Sequence, residues 1–272
     1  MDDRLTVQAA TQRLAEVGVD FFTLEDLRAA LDIDRDEAKD LAFRMARAGT
    51  TRRLRRGLYA ALEPADWGQD GFLGNWYRAA ARLAEPHPYY LAYYTAMEIH
   101  RMLQHPLKTV FVATTRQRPD TRVDPVRFRF VNVAEYKFFG FEDTQVQRGR
   151  MVKVADLERT FLDCVNRPDL CGGLEEVFRG FDRRHDDIDR DRLLHYVLRL
   201  DHPVITKRLG FLLEMVGHGD VLLLRELERA AGRLKRYLPL VNGGPVGGAD
   251  RNKRWELTIN TDIPKLLHTL RT

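Results

Sequence analysis

The sequence predicts an α+β fold in which a small helical unit ending in a β-hairpin precedes a larger, mixed α/β, helix-rich unit. Three observations carry that prediction. The first sixty residues hold three runs with helical spacing, then two short strand-like runs around Arg55-Arg56-Gly57. Glu63-Pro64-Ala65-Asp66-Trp67-Gly68 breaks the pattern and divides the chain into units at 1–64 and 65–272. Beyond the break, strand-like runs give way to amphipathic helices.

In the first unit, Leu5, Leu14 and Val17 fit a helix closed by Gly18. Phe21 and Phe22 lead to Thr23, which caps a second helix whose Asp26 returns the hydrogen bond. Leu24, Leu27, Ala30 and Leu31 form its apolar stripe. A third helix begins near Asp34: Ala38, Leu41, Ala42 and Met45 share one face, while Lys39, Phe43 and Arg47 lie near the opposite one. Asp36 and Glu37 at its start and arginines at its end suit the helix dipole, and Gly49 ends it. Thr51 to Leu54 and Leu58 to Ala61 then read as a hairpin.

Three helices followed by a hairpin is the pattern of a winged helix-turn-helix domain, in which the third helix enters the DNA major groove and the hairpin follows the backbone or the minor groove. Charge agrees with it. From Leu41 to Leu62 the basic residues are Arg44, Arg47, Arg52, Arg53, Arg55 and Arg56, with no acid among them. Such segregation is the footprint of phosphate contacts, which supply affinity without sequence information. Base readout is assigned to Arg35, Lys39, Phe43 and Arg47, and backbone or minor-groove contact to Arg52, Arg53, Arg55 and Arg56, with Arg44 joining the basic helix end. The bland alternative is a solvated arginine-rich hairpin.

The whole chain sets limits. Its 272 residues suffice for two cores, and a net charge of +4 is mild, so a partner is argued from where charge sits. No apolar run approaches the roughly 18 residues of a membrane span. Met-Asp-Asp-Arg at the start is acidic and lacks an apolar core, so no secretory signal is expected, and two cysteines, Cys164 and Cys171, suit a reducing cytoplasm. There is no serine, which removes every serine-nucleophile mechanism.

In the second unit, residues 72 to 84 read as a helix through Phe72, Leu73, Trp76, Ala79, Ala80 and Leu83, before Pro86 and Pro88 interrupt. Tyr89 to Tyr94 is aromatic enough to stack bases, although tyrosine clusters more often sit in cores. A helix follows over Thr95 to Met102. Strands are expected at Thr109–Thr114, Val126–Val133, Tyr136–Phe141 and Met151–Val154; Arg127 and Arg129 could line a second nucleic-acid or acidic-partner surface, but more often such residues form a plain solvent-facing strand side. Helices are expected from Asp156 to Asn166 and over Leu174–Phe181, Arg190–Leu200, Val204–Val216 and Val221–Tyr237. A mobile loop at 242–248 and a strand over Arg254–Ile259 complete the unit.

Catalytic and metal motifs fail on inspection. Gly243 and Gly248 have P-loop spacing, but Ala249-Asp250 replaces the required lysine and hydroxyl. Asp187, Asp189 and Asp191 resemble the start of a calcium loop, yet Arg192 and Leu198 occupy its glycine and glutamate positions. No histidine lies at zinc-ligand spacing beside the cysteines, and His100 and His105 do not share a helical face. A nucleotidyltransferase Gly-Ser signature and a nuclease Asp…Glu-x-Lys core are both missing; Glu158-Arg159 and Glu175-Glu176 could be posed as acid/base pairs, but helix-surface residues or partners in structural ion pairs are far commoner. Neither an enzyme nor a cofactor is expected.

Five stretches together resemble one family: the Arg-Arg-Gly-Leu-Tyr hairpin within 49–59, Val152 to Asp163, Arg167 to Val177, Leu209 to Glu214, and Trp255 to Asn260. The chain resembles the AbiEi antitoxins of bacterial abortive-infection toxin–antitoxin systems, along nearly its whole length. The Glu-Arg-Thr-x-Leu-Asp and Arg-Pro-Asp-Leu-x-Gly-Gly segments are the more specific; Ala155 and Cys171 depart from residues usual there. The resemblance implies an amino-terminal winged helix that represses its own promoter, a carboxyl domain needed for antitoxicity, and a nucleotidyltransferase toxin as functional partner, not always bound directly. It brings no catalytic residue. Read physically, the matched segments are scaffold: Asp156 caps a helix, Glu158 and Arg159 pair, and Gly172-Gly173 makes a tight connector. Two rival functions are a one-component regulator with a ligand-sensing second domain and a nucleic-acid-processing enzyme.

Overall fold

A computed structural model describes residues 6–64, 67, 75–103, 108–147, 149–217, 220–243 and 249–268. Leu5, Phe72, Leu73, His105, residues 244–248 and part of the expected boundary at 63–68 lie outside the described residues. The fold is mixed α+β, with three sheets among the described residues.

The first unit runs α1 (Val7–Glu16), β1 (Phe21–Thr23), α2 (Leu24–Leu31), α3 (Arg35–Arg47), β2 (Thr51–Arg55) and β3 (Leu58–Ala61). Thr6 caps α1, and Thr23 and Asp26 form the expected capping box on α2. A second box, not expected, starts α3: the Asp34 carboxylate accepts from the amides of Asp36 and Glu37 at 2.8 Å, and Glu37 accepts from the Asp34 amide at 3.1 Å. Ala38, Leu41, Ala42 and Met45 are buried on the inner face of α3 with Ala10, Leu14, Phe22 and Leu27. Gly49 (φ +70°) lets the chain turn back into the hairpin, whose own turn is closed by Gly57 (φ +76°).

The small sheet, in order β1-β3-β2, has two buried faces. Phe22 and Tyr59 stack at 5.5 Å over the helical core. Their neighbours Phe21, Leu54, Leu58 and Ala60 turn the other way and join the core of the second unit. Two core clusters are present, and the hairpin contributes to both as a shared wall between them. Burying one such leucine or phenylalanine stabilises by about 1.5–3 kcal/mol. Polar contacts flank this seam. Asp20 accepts from Arg150 at 2.6 Å and pairs with Arg78 at 3.1 Å, while the Arg78 guanidinium lies over Phe21.

The second unit contributes α4 (Trp76–Ala84), β4 (Tyr89–Leu91), α5 (Tyr93–Ile99), β5 (Thr109–Thr114), β6 (Thr121–Val123), β7 (Val126–Asn132), β8 (Phe141–Gln147) and β9 (Arg150–Ala155). These build a six-stranded sheet, β6-β7-β5-β4-β9-β8, in which β5 with β7 and β4 with β9 are parallel and the other pairs antiparallel. Helices α6 (Leu157–Asn166), α7 (Leu174–Arg184), α8 (Arg190–Leu200), α9 (Pro203–Met215) and α10 (Val221–Ala231) follow. The central α6, buried along most of its length, packs against α5, α7, α8 and α9. A small sheet of β10 (Leu238–Pro239), β11 (Asp250–Asn252) and β12 (Leu257–Ile259), then α11 (Ile263–His268), ends the described chain.

Several expected elements are corrected. Tyr136 to Gly140 is a tight turn and not a strand, because Gly140 (φ +74°) carries the chain close over Arg159, where a Cβ would meet Arg159 Cβ at 2.9 Å. The helix expected to reach Tyr237 stops at Ala231. Beyond Gly232 the carbonyls of Leu234 and Arg236 turn to accept from the buried Lys207 ammonium at 2.5 and 3.0 Å. The last strand begins at Leu257, since Glu256 (φ +48°) turns the chain and Trp255 is sunk against α9. The helix expected from Thr95 starts earlier, at Tyr93, and ends at Ile99.

Candidate nucleic-acid interface

The Asp34/Glu37 capping box starts α3 just after the turn at Asp32 (φ +53°), and the apolar stripe of α3 fixes which face points outward. That outer face and the hairpin enclose an open groove of about 1210 Å³. Arg35, Lys39 and Phe43 line it from successive turns of α3, and Arg53 and Arg56 line it from the hairpin, with Tyr59 at its floor. Phe43 is 64% exposed, which is unusual for a phenylalanine that no apolar neighbour covers.

The groove also holds Asp36, which the sequence assigns to the helix dipole, and Asp40, which stands outside the basic run. Their spacing, one turn apart and adjacent to Arg35 and Lys39, was the available signal. Asp40 pairs with Arg44 at 3.0 Å, so that arginine is committed along the helix. Four cationic side chains against two carboxylates leave the groove net positive. Asp34 and Glu37 are engaged with backbone N–H groups at the positive helix end, so they do not quench the groove bases.

The other expected contacts are distributed differently. Arg47 is exposed on α3 outside the groove lining. Arg52 is half-buried and turned toward the second unit, where it donates to the Asp124 carbonyl at 3.2 Å. Arg55 is exposed at the hairpin end and stands near Arg118 of the second unit.

Of the motifs that carried the family resemblance, residues 154–165 are buried throughout, whereas Arg55 and Arg56 of the hairpin are exposed and Arg167 pairs with Asp169 at the surface. Asp156 caps α6, accepting from the Arg159 amide at 2.8 Å, and also accepts from Tyr196 Oη at 2.7 Å. Burial and that carboxylate push the Tyr196 phenol up to about 12. Glu158 and Arg159 do not pair, contrary to expectation: adjacent helical residues diverge by about 100°. Arg159 instead binds Asp163, one turn on, at 3.0 Å and Tyr90 Oη at 3.1 Å. Glu158 accepts from the Asp189 amide at 2.7 Å and meets Arg192 at 3.4 Å. Burial raises the Asp163 carboxyl above its ordinary range, opposed in part by Arg159. Tyr90 and Tyr93 lie in this core, so they are not a base-stacking surface.

Two further motifs meet each other. Trp255 packs on Gly210 and donates to Glu214 at 2.7 Å, while Glu256 pairs with Lys207 at 2.6 Å. At the connector, Gly172 (φ +76°) leaves room for the Tyr94 hydroxyl, which a Cβ would meet at 2.7 Å. Cys164 and Cys171 are buried free thiols 3.2 Å apart. Among the described residues no group of three or more His, Cys, Asp or Glu side chains is placed to hold a metal, and no helix is long and apolar enough to cross a membrane.

No family model matches the sequence, and no curated protein matches it. Among solved structures, the fold is similar to that of the Rv2827c protein from Mycobacterium tuberculosis. The TM-score is 0.69 at 14% identity, covering 99% of this chain and 97% of that one. At this identity the likeness is one of fold.

Proposed function

We propose that this protein binds duplex DNA through its amino-terminal unit, read as a winged helix-turn-helix, and acts as a promoter-binding antitoxin that represses its own operon. One observation carries the DNA reading: Arg35, Lys39 and an exposed Phe43 on the outer face of α3 converge with Arg53 and Arg56 of the hairpin on one open, net-positive groove. A helix of this diameter fits the major groove, and arginine and lysine at its surface suit guanine edges and phosphates. Phosphate contact falls to Arg53, Arg55 and Arg56, and base readout to Arg35, Lys39 and Phe43.

The antitoxin half of the proposal rests on the AbiEi-like segments, whose largely buried α6 portion is in keeping with a scaffold role for the second unit. Its partner would be a nucleotidyltransferase toxin encoded beside it. The test has two arms. Purified protein is titrated against its own upstream DNA and against a scrambled duplex of equal length; preference for the upstream sequence is expected, and equal affinity overturns the repressor reading. Co-expression with the neighbouring gene is expected to restore growth that the neighbour alone arrests. Growth arrest unaffected by this protein overturns the antitoxin reading.

A further inference from the structure

The hairpin is not a free arm, and this determines where its charge leads. With Phe21, Leu54, Leu58 and Ala60 buried in the second core and Arg52 bonded to Asp124, the edge of β2 lies against β6. The segment it meets, residues 115–130, carries Arg116, Arg118, Arg122, Arg127 and Arg129 against Asp120 and Asp124. Arg52 reaches Asp124 and Arg55 stands near Arg118, so arginines of the hairpin and of this segment approach one another across the seam.

The two carboxylates are already engaged. Asp120 holds Arg127 at 2.7 Å and Arg129 at 3.9 Å, and Arg129 also lies over Phe111. Asp124 holds Arg122 at 2.7 Å, but both side chains are mostly exposed, at 75% and 68%, so that pair is weak and exchangeable. Arg118 is held rigidly, donating to the carbonyls of Ala84 and Glu85 and lying over Phe130 at 5.3 Å. Partial burial, and then the charge of Arg55, lower its pKa. Like charges held together across a packed seam repel one another, and a polyanion laid along it relieves that repulsion.

We propose that the phosphate-binding strip of the hairpin continues onto the second unit through Arg116, Arg118 and Arg122, so that duplex backbone is gripped on both sides of the seam. This rests on the DNA reading above but assigns residues outside the winged-helix unit. It makes the docking of the two units part of the binding surface.

The experiment measures the slope of log K against log salt for a 30-base-pair non-specific duplex. Each neutralised phosphate adds about 0.9 to that slope, so removing one phosphate-binding arginine spares about 3.5-fold of the weakening between 50 and 200 mM salt. Arg116→Ala/Arg122→Ala is compared with Arg53→Ala/Arg56→Ala and with Arg251→Ala/Lys253→Ala, an equal reduction of charge at the exposed carboxyl-terminal sheet. All of these side chains are exposed, so folding is expected to survive, and thermal unfolding checks it. The expected result is a slope lower by about 1–2 for each of the first two pairs and unchanged for the third. A drop for the hairpin pair alone overturns the extension and leaves the DNA reading standing. No effect from either pair, or no binding by the native protein, overturns both, and an equal drop for all three overturns the extension by making net charge, not position, the cause.

Discussion

Replacing Gly210 by alanine sets two known effects against each other. In an ordinary helix the change is favourable by roughly 1 kcal/mol, because glycine loses more backbone freedom on folding. At this position, within α9, the new Cβ would stand 2.1, 2.2 and 2.6 Å from three ring atoms of Trp255. The indole cannot slide away. It is 1% exposed, its Nε1 donates to Glu214 at 2.7 Å, and its backbone amide donates to Asn252 at 2.9 Å. Overpacking of a filled core costs about 1–3 kcal/mol, and three approaches this close against a pinned ring put the cost at or above the upper end, about 3 kcal/mol. The net is a destabilisation of about 2 kcal/mol or more, which for a chain of this length lowers Tm by roughly 4–8 °C. Thermal unfolding followed by circular dichroism reads it. A companion variant, Gly210→Ala with Trp255→Leu, is expected to be less unstable than the two single effects summed, because the clash is shared. An unchanged or higher Tm for Gly210→Ala alone would refute the close packing and, with it, the scaffold role of these two motifs.

Two other outcomes follow from the seam and from burial. Asp20→Asn removes the partner of both Arg78 and Arg150 across the seam; these partly exposed pairs together are worth about 1 kcal/mol. Faster amide exchange at residues 51–61 is the expected sign, and unchanged exchange there would count against the seam. His202 sits where burial, and then Lys137, hold its imidazole below the ordinary 6.5. The unfolded chain therefore takes up the proton first, so this stability is present above pH 6.5 and declines as pH falls below it. His202→Gln is expected to flatten the decline in urea midpoint between pH 7 and pH 5, whereas an identical pH profile would show that His202 is not its source.

The helix α3 was legible because its apolar residues recur at helical spacing and all four are buried. The strand at Phe21–Thr23 is hidden from the sequence because it is three residues long and its two rings serve opposite cores. The shared small sheet left one signal unused. Leu54, Leu58 and Ala60 on one face and Tyr59 and Ala61 on the other leave no polar side to β3, which a free wing would have. The Arg159–Asp163 bond lay at readable i, i+4 spacing, but Glu158 finds Arg192 across 34 residues, beyond any local pattern. In the groove, the basic residues are visible as a charge run, while Asp36 reads as a helix-dipole residue and Asp40 stands outside that run. Only the placement of the hairpin against α3 shows that they face the same space as Arg53 and Arg56.

The most direct test of the groove as the DNA reader puts a photo-crosslinking benzoylphenylalanine in place of Phe43 and irradiates the protein on its own upstream duplex. If α3 reads the major groove, crosslinks go to bases, cluster at major-groove positions of one short site and disappear with a scrambled duplex. Crosslinks confined to protein, or DNA bound tightly with position 43 never reaching a base, would contradict it.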